Sequence, residues 1–305
     1  AWASLKLQHL KYFVAVFEEG SFSAGAQRVN ATQSGLSMHV RQIEDRFQVQ
    51  LLNRSSTGVT PTEAGRRFYR DAVRVLHAAT EAEAKLRSLS GSVHGRVTVG
   101  LMPTFTRAVL GPALTKFVKA YPNVKVSVRE AYSGELSRQV VSGDLDFAIV
   151  PAFDADERLH AKLMGVDREC LVVSSQSDVG KNKSIRLAEL PPLNLVLPSP
   201  ENVRRRKIDQ YLAKHGVEVG RLMELDSMFA TLDLVATSDW ATILPGILCM
   251  PDLDGSRRRV IPITEPKLDV EYLRIEPISV PLSQAGQAFY SVLNEELTSA
   301  LAAFE

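Results

Sequence analysis

Cysteine is nearly absent from this sequence of 305 residues. Its two cysteines, Cys170 and Cys249, offer neither a disulfide framework nor a metal-ligand spacing, and they read as apolar thiols in a reducing cytoplasm. No apolar run approaches the roughly 18 residues of a membrane span. The first residues lack the basic-then-apolar head of a secretory leader, and Ala1–Ser4 is expected to be a processing or cloning remnant. The expectation is a cytoplasmic chain with no membrane partner.

Catalytic signatures are missing too. There is no Gly-x-Ser-x-Gly elbow, phosphate loop, His-Glu-x-x-His or Cys-x-x-Cys. The pairs Asp144/Asp146 and Asp252/Asp254 suggest a metal at first sight. One sits at a helix-to-strand junction and the other in a turn, where structural roles suffice. No catalytic residue, metal or cofactor is expected, and the chain is read as no enzyme.

What is present is an ordinary globular composition, 45% apolar with a mean hydropathy of -0.04. At about 150 residues per domain, the length suits about two domains. The net charge of +1 conceals an asymmetry. Residues 1–90 hold 12 Lys and Arg against 8 Asp and Glu, whereas the remaining 24 basic residues face 27 acidic ones. A basic N-terminal part on an acidic body points to a polyanionic partner for the former.

In that basic part, Leu10, Phe13, Val14 and Phe17 form one apolar helical stripe that Gly20 ends. Ser21 is placed to cap a second, short helix. Asn30 suits a left-handed turn, and Thr32 is placed to cap a third helix. Two helices across a tight turn, after a stabilising first helix, make a helix-turn-helix. On the third helix Leu36, Val40, Ile43 and Phe47 define the buried face. Opposite lie Ser34, Met38 and Arg41, with Gln33 in the first turn and Ser37 beside them. The N-terminal part of such a helix enters the major groove. There Gln33 suits adenine, Ser37 several base edges, and Met38 a thymine methyl. The same pattern also fits a solvated amphipathic helix of any globular protein.

The next segment decides between the two. "LLNRSSTGVTPTEAG" reads as two extended runs around a turn, a β-wing with Arg54 at its base, suited to a phosphate or the minor groove. "TPTE" reads as a capping box with Thr60 as N-cap, Pro61 at the first position and Glu63 at the third. The helix it opens, to about Leu89, carries Phe68, Ala72, Val75, Ala79, Ala82, Leu86 and Leu89 at alternating spacings of four and three. That is the pattern of a coiled-coil seam, with a helix lying on its own domain as the alternative, and these residues are the candidates for dimerisation.

The stretch from Leu7 to Gly65 resembles the DNA-binding segment of LysR-type transcriptional regulators. The likeness rests on Phe13, Gly20-Ser21-Phe22, Gln33, Leu36-Ser37, Ile43-Glu44, Leu51, Arg54 and Thr62-Glu63-Ala64-Gly65. Departures lie at Ser34-Gly35, where that family commonly has Pro-Ala, and at Met38. The DNA-binding candidates are Ser23, Thr32, Gln33, Ser34, Ser37, Met38, Arg41 and Arg54, and the implied partner is double-stranded DNA.

After the hinge-like "SLSGSVHGRV", strands alternate with helices. "RVTVGL", "VKVSV" and "DFAIV" are separated by helical runs, which implies a right-handed parallel α/β sheet. A second set follows: "ECLVVSS", "LNLVL", a helix from Val203, "MFATLDLVAT" and "ATILP". "VEYLRIEP" and a helix from Ser283 are expected to return the chain to the first set. Ligands of open α/β sheets bind outside the carboxyl ends of strands. Helices starting behind Thr104, Ser133, Ser199 to Asn202, and Ser227 would favour an anion there, with Phe105 and Phe153 as an apolar wall.

This part is similar to the effector domain of the same regulators, which has the two-lobed fold of type 2 periplasmic binding proteins. The likeness implies a small-molecule effector near Pro103, Thr104, Phe105, Ser133, Phe153, Asn202 and Ser227, most simply a small anionic metabolite. "ATSDWATILP" departs from the family's glycine-containing turn. The expected organisation is multi-domain: a winged helix-turn-helix over 1–60, a dimerisation helix over 61–91, and an effector domain over 92–305. Its lobe I spans about 92–166 and 267–305, and its lobe II about 167–266. A solute receptor and an enzyme are the rival readings, opposed by the winged N-terminus and by the missing motifs. The resemblance further implies a self-associating chain, a dimer assembled into a tetramer, with RNA polymerase as a further partner.

Overall fold

A computed structural model describes residues 5–56, 58–88, 93–152, 156, 158–180 and 186–304. By its contacts the chain divides into two units, Ala1–Gly91 with Pro277–Pro281, and Ser92–Glu276 with Leu282–Glu305.

In the first unit, α1 (Leu7–Glu19) buries Leu10, Phe13, Val14 and Val16 and stops at Gly20, whose φ of 60° only glycine adopts without strain. The Ser21 hydroxyl accepts from Ala24 N–H at 3.4 Å and starts α2 (Phe22–Arg28). Asn30 takes the left-handed conformation at φ 52°. The Thr32 hydroxyl then accepts from Gly35 N–H at 3.1 Å and caps α3 (Gln33–Phe47). Leu36, Val40 and Ile43 are buried as the helical spacing predicts. Phe47 is not: it is 54% exposed, because the helix ends there and runs past the core that the other three fill.

The wing is an antiparallel hairpin of β1 (Leu52–Ser55) and β2 (Gly58–Pro61). Pro61 belongs to this strand, so α4 (Glu63–Ser88) begins later than the capping box predicts. The cap is Thr62, whose hydroxyl accepts from Gly65 N–H at 3.0 Å, and Thr60 pairs with Asn53 in the hairpin instead.

The start of α4 lies on α1. The Phe17 and Tyr69 rings stack at 4.1 Å, and Phe13 meets Phe68 at 4.9 Å. Ala72, Val73 and Leu76 are buried in the same core. The predicted seam is therefore divided. Phe68 and Ala72 are spent inside their own unit, because the apolar stripe at the start of α4 is wider than an a/d seam. Ala79 is half-buried, while Val75, Ala82 and Leu86 are exposed. Leu89 lies outside the described residues.

The second unit begins with β3 (Gly95–Leu101), α5 (Pro103–Phe105), α6 (Gly111–Ala120), β4 (Val124–Glu130), α7 (Ser133–Val141) and β5 (Phe147–Pro151). β3 pairs parallel with both β4 and β5. Then come β6 (Leu159–Ser174), β7 (Leu193–Leu197), α8 (Val203–Lys214), β8 (Val219–Glu224) and α9 (Met228–Thr237). The chain closes with β9 (Thr242–Pro245), α10 (Gly246–Cys249), β10 (Arg258–Pro262), β11 (Asp269–Pro277) and α11 (Gln284–Phe304).

β7 and β8 are parallel, β9 and β10 run antiparallel to β6, and β11 returns antiparallel to β5. These pairings give a two-lobed α/β architecture in which β6, at 16 residues, runs from one lobe to the other. Lobe I is centred on Val99, Phe117, Phe147 and Phe289, lobe II on Leu195, Ile243, Val196 and Leu244. Each such fully buried side chain contributes about 1.5–3 kcal/mol by leaving water.

Candidate functional site

The DNA-binding candidates gather in the first unit, whereas of the effector candidates in the second only Asn202 lines the cavity found there. In the first, Gln33, Ser34, Met38 and Arg41 are exposed on the side of α3 opposite its buried stripe, and Ser23 is exposed on α2. Met38 is 51% exposed, and Arg41 makes no ion pair among the described residues. Thr32 is occupied as the cap and also accepts weakly from the Ser34 hydroxyl.

Arg54 and Ser37 come together. Arg54 Nη1 donates to Ser37 Oγ at 3.1 Å, Nη2 pairs with Glu44 at 3.4 Å, and the guanidinium lies 4.8 Å from the centre of the Phe22 ring. The other Glu44 oxygen accepts from Leu51 and Leu52 N–H at 2.8 and 3.1 Å. Glu44 thus joins the recognition helix to the base of the wing. Neither Glu44 nor Phe22 figures among the predicted site residues. The available signal was a carboxylate near the end of an amphipathic helix, just before two donors without helical partners.

In the second unit a cavity lies between the lobes. With a volume of about 20 Å³, room for a water or two, it is lined by Tyr132 from lobe I and by Asn202, Arg204, Met228, Thr231 and Thr242 from lobe II. Asn202 caps α8, accepting from Arg204 N–H at 2.9 Å. Arg204, buried to 6% exposure, forms a two-point pair with Glu169 at 2.8 and 2.7 Å and donates to the Ile243 carbonyl. Burial works to strip the charge from Arg204, but the Glu169 charge and hydrogen bonds outweigh it and hold the guanidinium above its ordinary value. Tyr132 donates to the Asp226 carbonyl at 2.5 Å, a direct link between the lobes, and burial raises its hydroxyl pKa.

The other predicted effector residues divide. Ser227 caps α9, accepting from Ala230 N–H, and is exposed. Thr104 and Ser133 are buried, but neither caps a helix: the cap positions are Met102 and Tyr132, without side-chain caps. Pro103 opens α5, half-buried. Phe105 is not a wall of the cavity. It is fully buried in the lobe I core with its ring edge-on to Tyr272 at 5.1 Å, because α5 turns it inward. Phe153 lies outside the described residues.

Arg204, Glu169, Tyr132, Thr231 and Thr242 are missed by sequence reasoning. Arg204 stands in the run "VRRRK", where basic residues read as a solvated helix face. The acidic pair at Asp252 has a structural explanation: its carboxylate is held by Arg258 and by Arg107. Asp146 is likewise engaged, accepting from Thr98 N–H at 2.6 Å.

Comparison with known proteins places both units. Residues 7–66 match the profile described as bacterial regulatory helix-turn-helix protein, lysR family, and residues 90–298 match the LysR substrate binding domain. Among curated relatives, the nitrogen assimilation regulatory protein nac of Klebsiella aerogenes is 28% identical over 79% of this chain and 78% of its own. The transcriptional regulator PgrR of Escherichia coli is 29% identical over 75% of this chain and 76% of its own. Among solved structures, full-length BenM aligns with a TM-score of 0.59 at 22% identity, covering 99% of each chain. An OxyR mutant of Corynebacterium glutamicum aligns at 0.61 and 20%, covering 99% of this chain and 97% of its own.

Proposed function

The chain belongs to the LysR family of bacterial transcriptional regulators, and we propose that it reads a two-fold DNA site through α3 and its wing under control of a small anionic effector held between the lobes. In this reading residues 1–60 bind DNA, α4 and its flanks over 61–91 dimerise, and residues 92–305 bind the effector. The single observation that supports it most is the polar cavity at the lobe junction, where a bound molecule would contact both lobes at once.

A ligand that prefers one lobe arrangement shifts the population toward it. Rearranged lobes would change how protomers pack and hence the spacing of the reading heads. On α3, Gln33, Ser34, Ser37, Met38 and Arg41 supply base contacts, and Ser23, Thr32 and Arg54 lie toward the phosphates. The exposed Val75, Ala82 and Leu86 stripe of α4 supports self-association into a dimer, and the family resemblance extends this to a tetramer with RNA polymerase as a further partner. A reducing cytoplasm is the compartment such a regulator requires.

Selection from random DNA with the full-length chain tests the reading. An enriched motif with two half-sites related by a dyad is expected, spaced by whole helical turns. Enrichment of a lone half-site, or none, would refute it.

A further inference from the structure

The cavity between the lobes carries more information than its position. Arg204 is the one charged side chain among the described residues that line it, and no carboxylate lines it. Its Nε and Nη2 are spent on Glu169 and on the Ile243 carbonyl, while Nη1 makes no hydrogen bond to any described residue. Asn202 uses its oxygen on the Arg204 N–H and leaves its amide N–H2 without a partner. The hydroxyls of Thr231 and Thr242 have no hydrogen-bond partner among the described residues either, although the two residues are 5% and 1% exposed. None of these four groups is sealed from solvent, so each opens onto the cavity, and four unspent polar groups around one space suit a polar ligand. The wall facing them is aliphatic: Val196, Leu197, Leu225 and Leu244.

The unspent atoms are mostly donors, the Arg204 and Asn202 N–H groups being donors only. An oxyanion satisfies them. An ammonium group would meet a guanidinium and find no carboxylate in the lining, since both oxygens of Glu169 are held by Arg204. Glu169 already balances Arg204, so a ligand carboxylate shares that cation with a resident carboxylate.

Resting on the reading of the cleft as the effector site, we propose that its effector class is a small aliphatic carboxylate without an amino group, and that Glu169 competes with it for Arg204. The cavity has room for a water or two, so a four-carbon ligand would widen it, most directly by parting the Tyr132–Asp226 link. The carboxylate then takes Arg204 Nη1, the Asn202 amide and the threonine hydroxyls, with its chain on the aliphatic wall. Glu169 tunes affinity: too weak a hold on Arg204 leaves a buried charge unpaired, and its hold is what the ligand must share.

The test is thermal shift of the full chain with three probes on one carbon frame, butyrate, butyramide and 2-aminobutyrate, at constant ionic strength. Butyrate should raise the melting temperature most, butyramide less, and 2-aminobutyrate not at all. Glu169→Gln should tighten butyrate binding about tenfold, the scale of one charge-assisted hydrogen bond. Asn202→Asp keeps the helix cap and places a carboxylate in the cavity, so it should abolish the butyrate response even if Glu169→Gln folds poorly. A 2-aminobutyrate response equal to that of butyrate, unchanged butyrate binding in folded Glu169→Gln, or an undiminished butyrate response in Asn202→Asp overturns the proposal. Butyrate binding that leaves DNA affinity untouched would instead count against regulation through the cleft and leave the ligand class standing.

Discussion

Arg54 donates to the Ser37 hydroxyl oxygen across the joint between the wing and the recognition helix, at 3.1 Å. Because that oxygen accepts, the Ser37 O–H remains free to donate outward. In a DNA complex Ser37 would then act as a donor, suited to purine N7 or O6, thymine O4 or a phosphate.

This bond separates two roles of Arg54. Arg54→Ala removes charge and fork together, so specific and random DNA should both bind about tenfold more weakly, with a salt slope shallower by about one. Arg54→Lys keeps the charge but loses the fork between Ser37 and Glu44. Its salt slope should match the wild type while only specific affinity falls. Fluorescence titrations across a salt series read both, and an unchanged slope in Arg54→Ala would remove the phosphate role.

The joint also depends on backbone approach. A Cβ built on Gly65 would overlap the Leu51 carbonyl oxygen, which accepts from Thr62 N–H at 3.0 Å. Gly65→Ala must therefore push α4 away from the base of the wing. We expect a loss of about 3 kcal/mol or more in urea unfolding, at the upper end for overpacked sites. A loss below about 1 kcal/mol would show that the joint yields easily.

Specificity should reside partly in Met38, exposed on the reading face of α3. Met38→Arg exchanges an apolar partner for thymine for a two-point donor that favours guanine. Selection from random DNA should change one position of each half-site, by about 1–3 kcal/mol of preference. Identical motifs for the two proteins would end the methyl-contact idea.

The N-terminal helices were legible because each is bounded by a residue with local chemistry: Gly20, Ser21, Asn30 and Thr32 all act where their side chains or φ angles require. The start of α4 misled because Thr60 and Thr62 both sit near the helix start, and only the pairing of Thr60 with Asn53 assigns it to the wing. β8 escaped notice because it is exposed almost throughout, so no alternation betrays it. The first half of β6 hid for the same reason, since apart from Leu159 its buried residues lie in the second half. Of the predicted effector residues only Asn202, which caps a helix, lines the cavity. The chemistry of the cavity was not legible. The Arg204–Glu169 pair joins residues 35 apart on α8 and β6, and only the folding of lobe II brings them together.

Beside that pair, Asp167 is buried on β6 and accepts from Tyr272 Oη, Ile247 N–H and Arg168 N–H at 2.8, 3.0 and 2.7 Å. Burial foremost raises its pKa, and these hydrogen bonds pull it down without cancelling the shift. The folded chain then holds this proton more tightly than the unfolded one. The stability from Asp167 is fully present below the ordinary carboxylate range and is lost as pH rises through the raised value. Asp167→Asn removes the titration, so the difference in unfolding free energy between wild type and variant should drift with pH in that window, wild type losing relative stability as pH rises. A constant difference across the window would show that Asp167 titrates alike in both states.

The link between the lobes offers the most direct view of their motion. Tyr132 stands just before α7 of lobe I and gives its hydroxyl proton to the Asp226 carbonyl, two residues before α9 of lobe II. Tyr132→Phe keeps the ring and removes this one bond, worth about 1 kcal/mol net. If the closed arrangement is held in part by the link, its population relative to open forms falls about fivefold. Hydrogen exchange reports the change locally. Ala230 N–H, bonded to the Ser227 hydroxyl, and Thr231 N–H, bonded to the Ser227 carbonyl, should exchange faster in the variant. Amides in the core of lobe I, such as Val99 in β3, should keep their protection, because the strand pairing there is untouched. Equal acceleration in both places would mean global destabilisation, and no acceleration at the start of α9 would mean that the Tyr132 hydroxyl does not hold the lobes together.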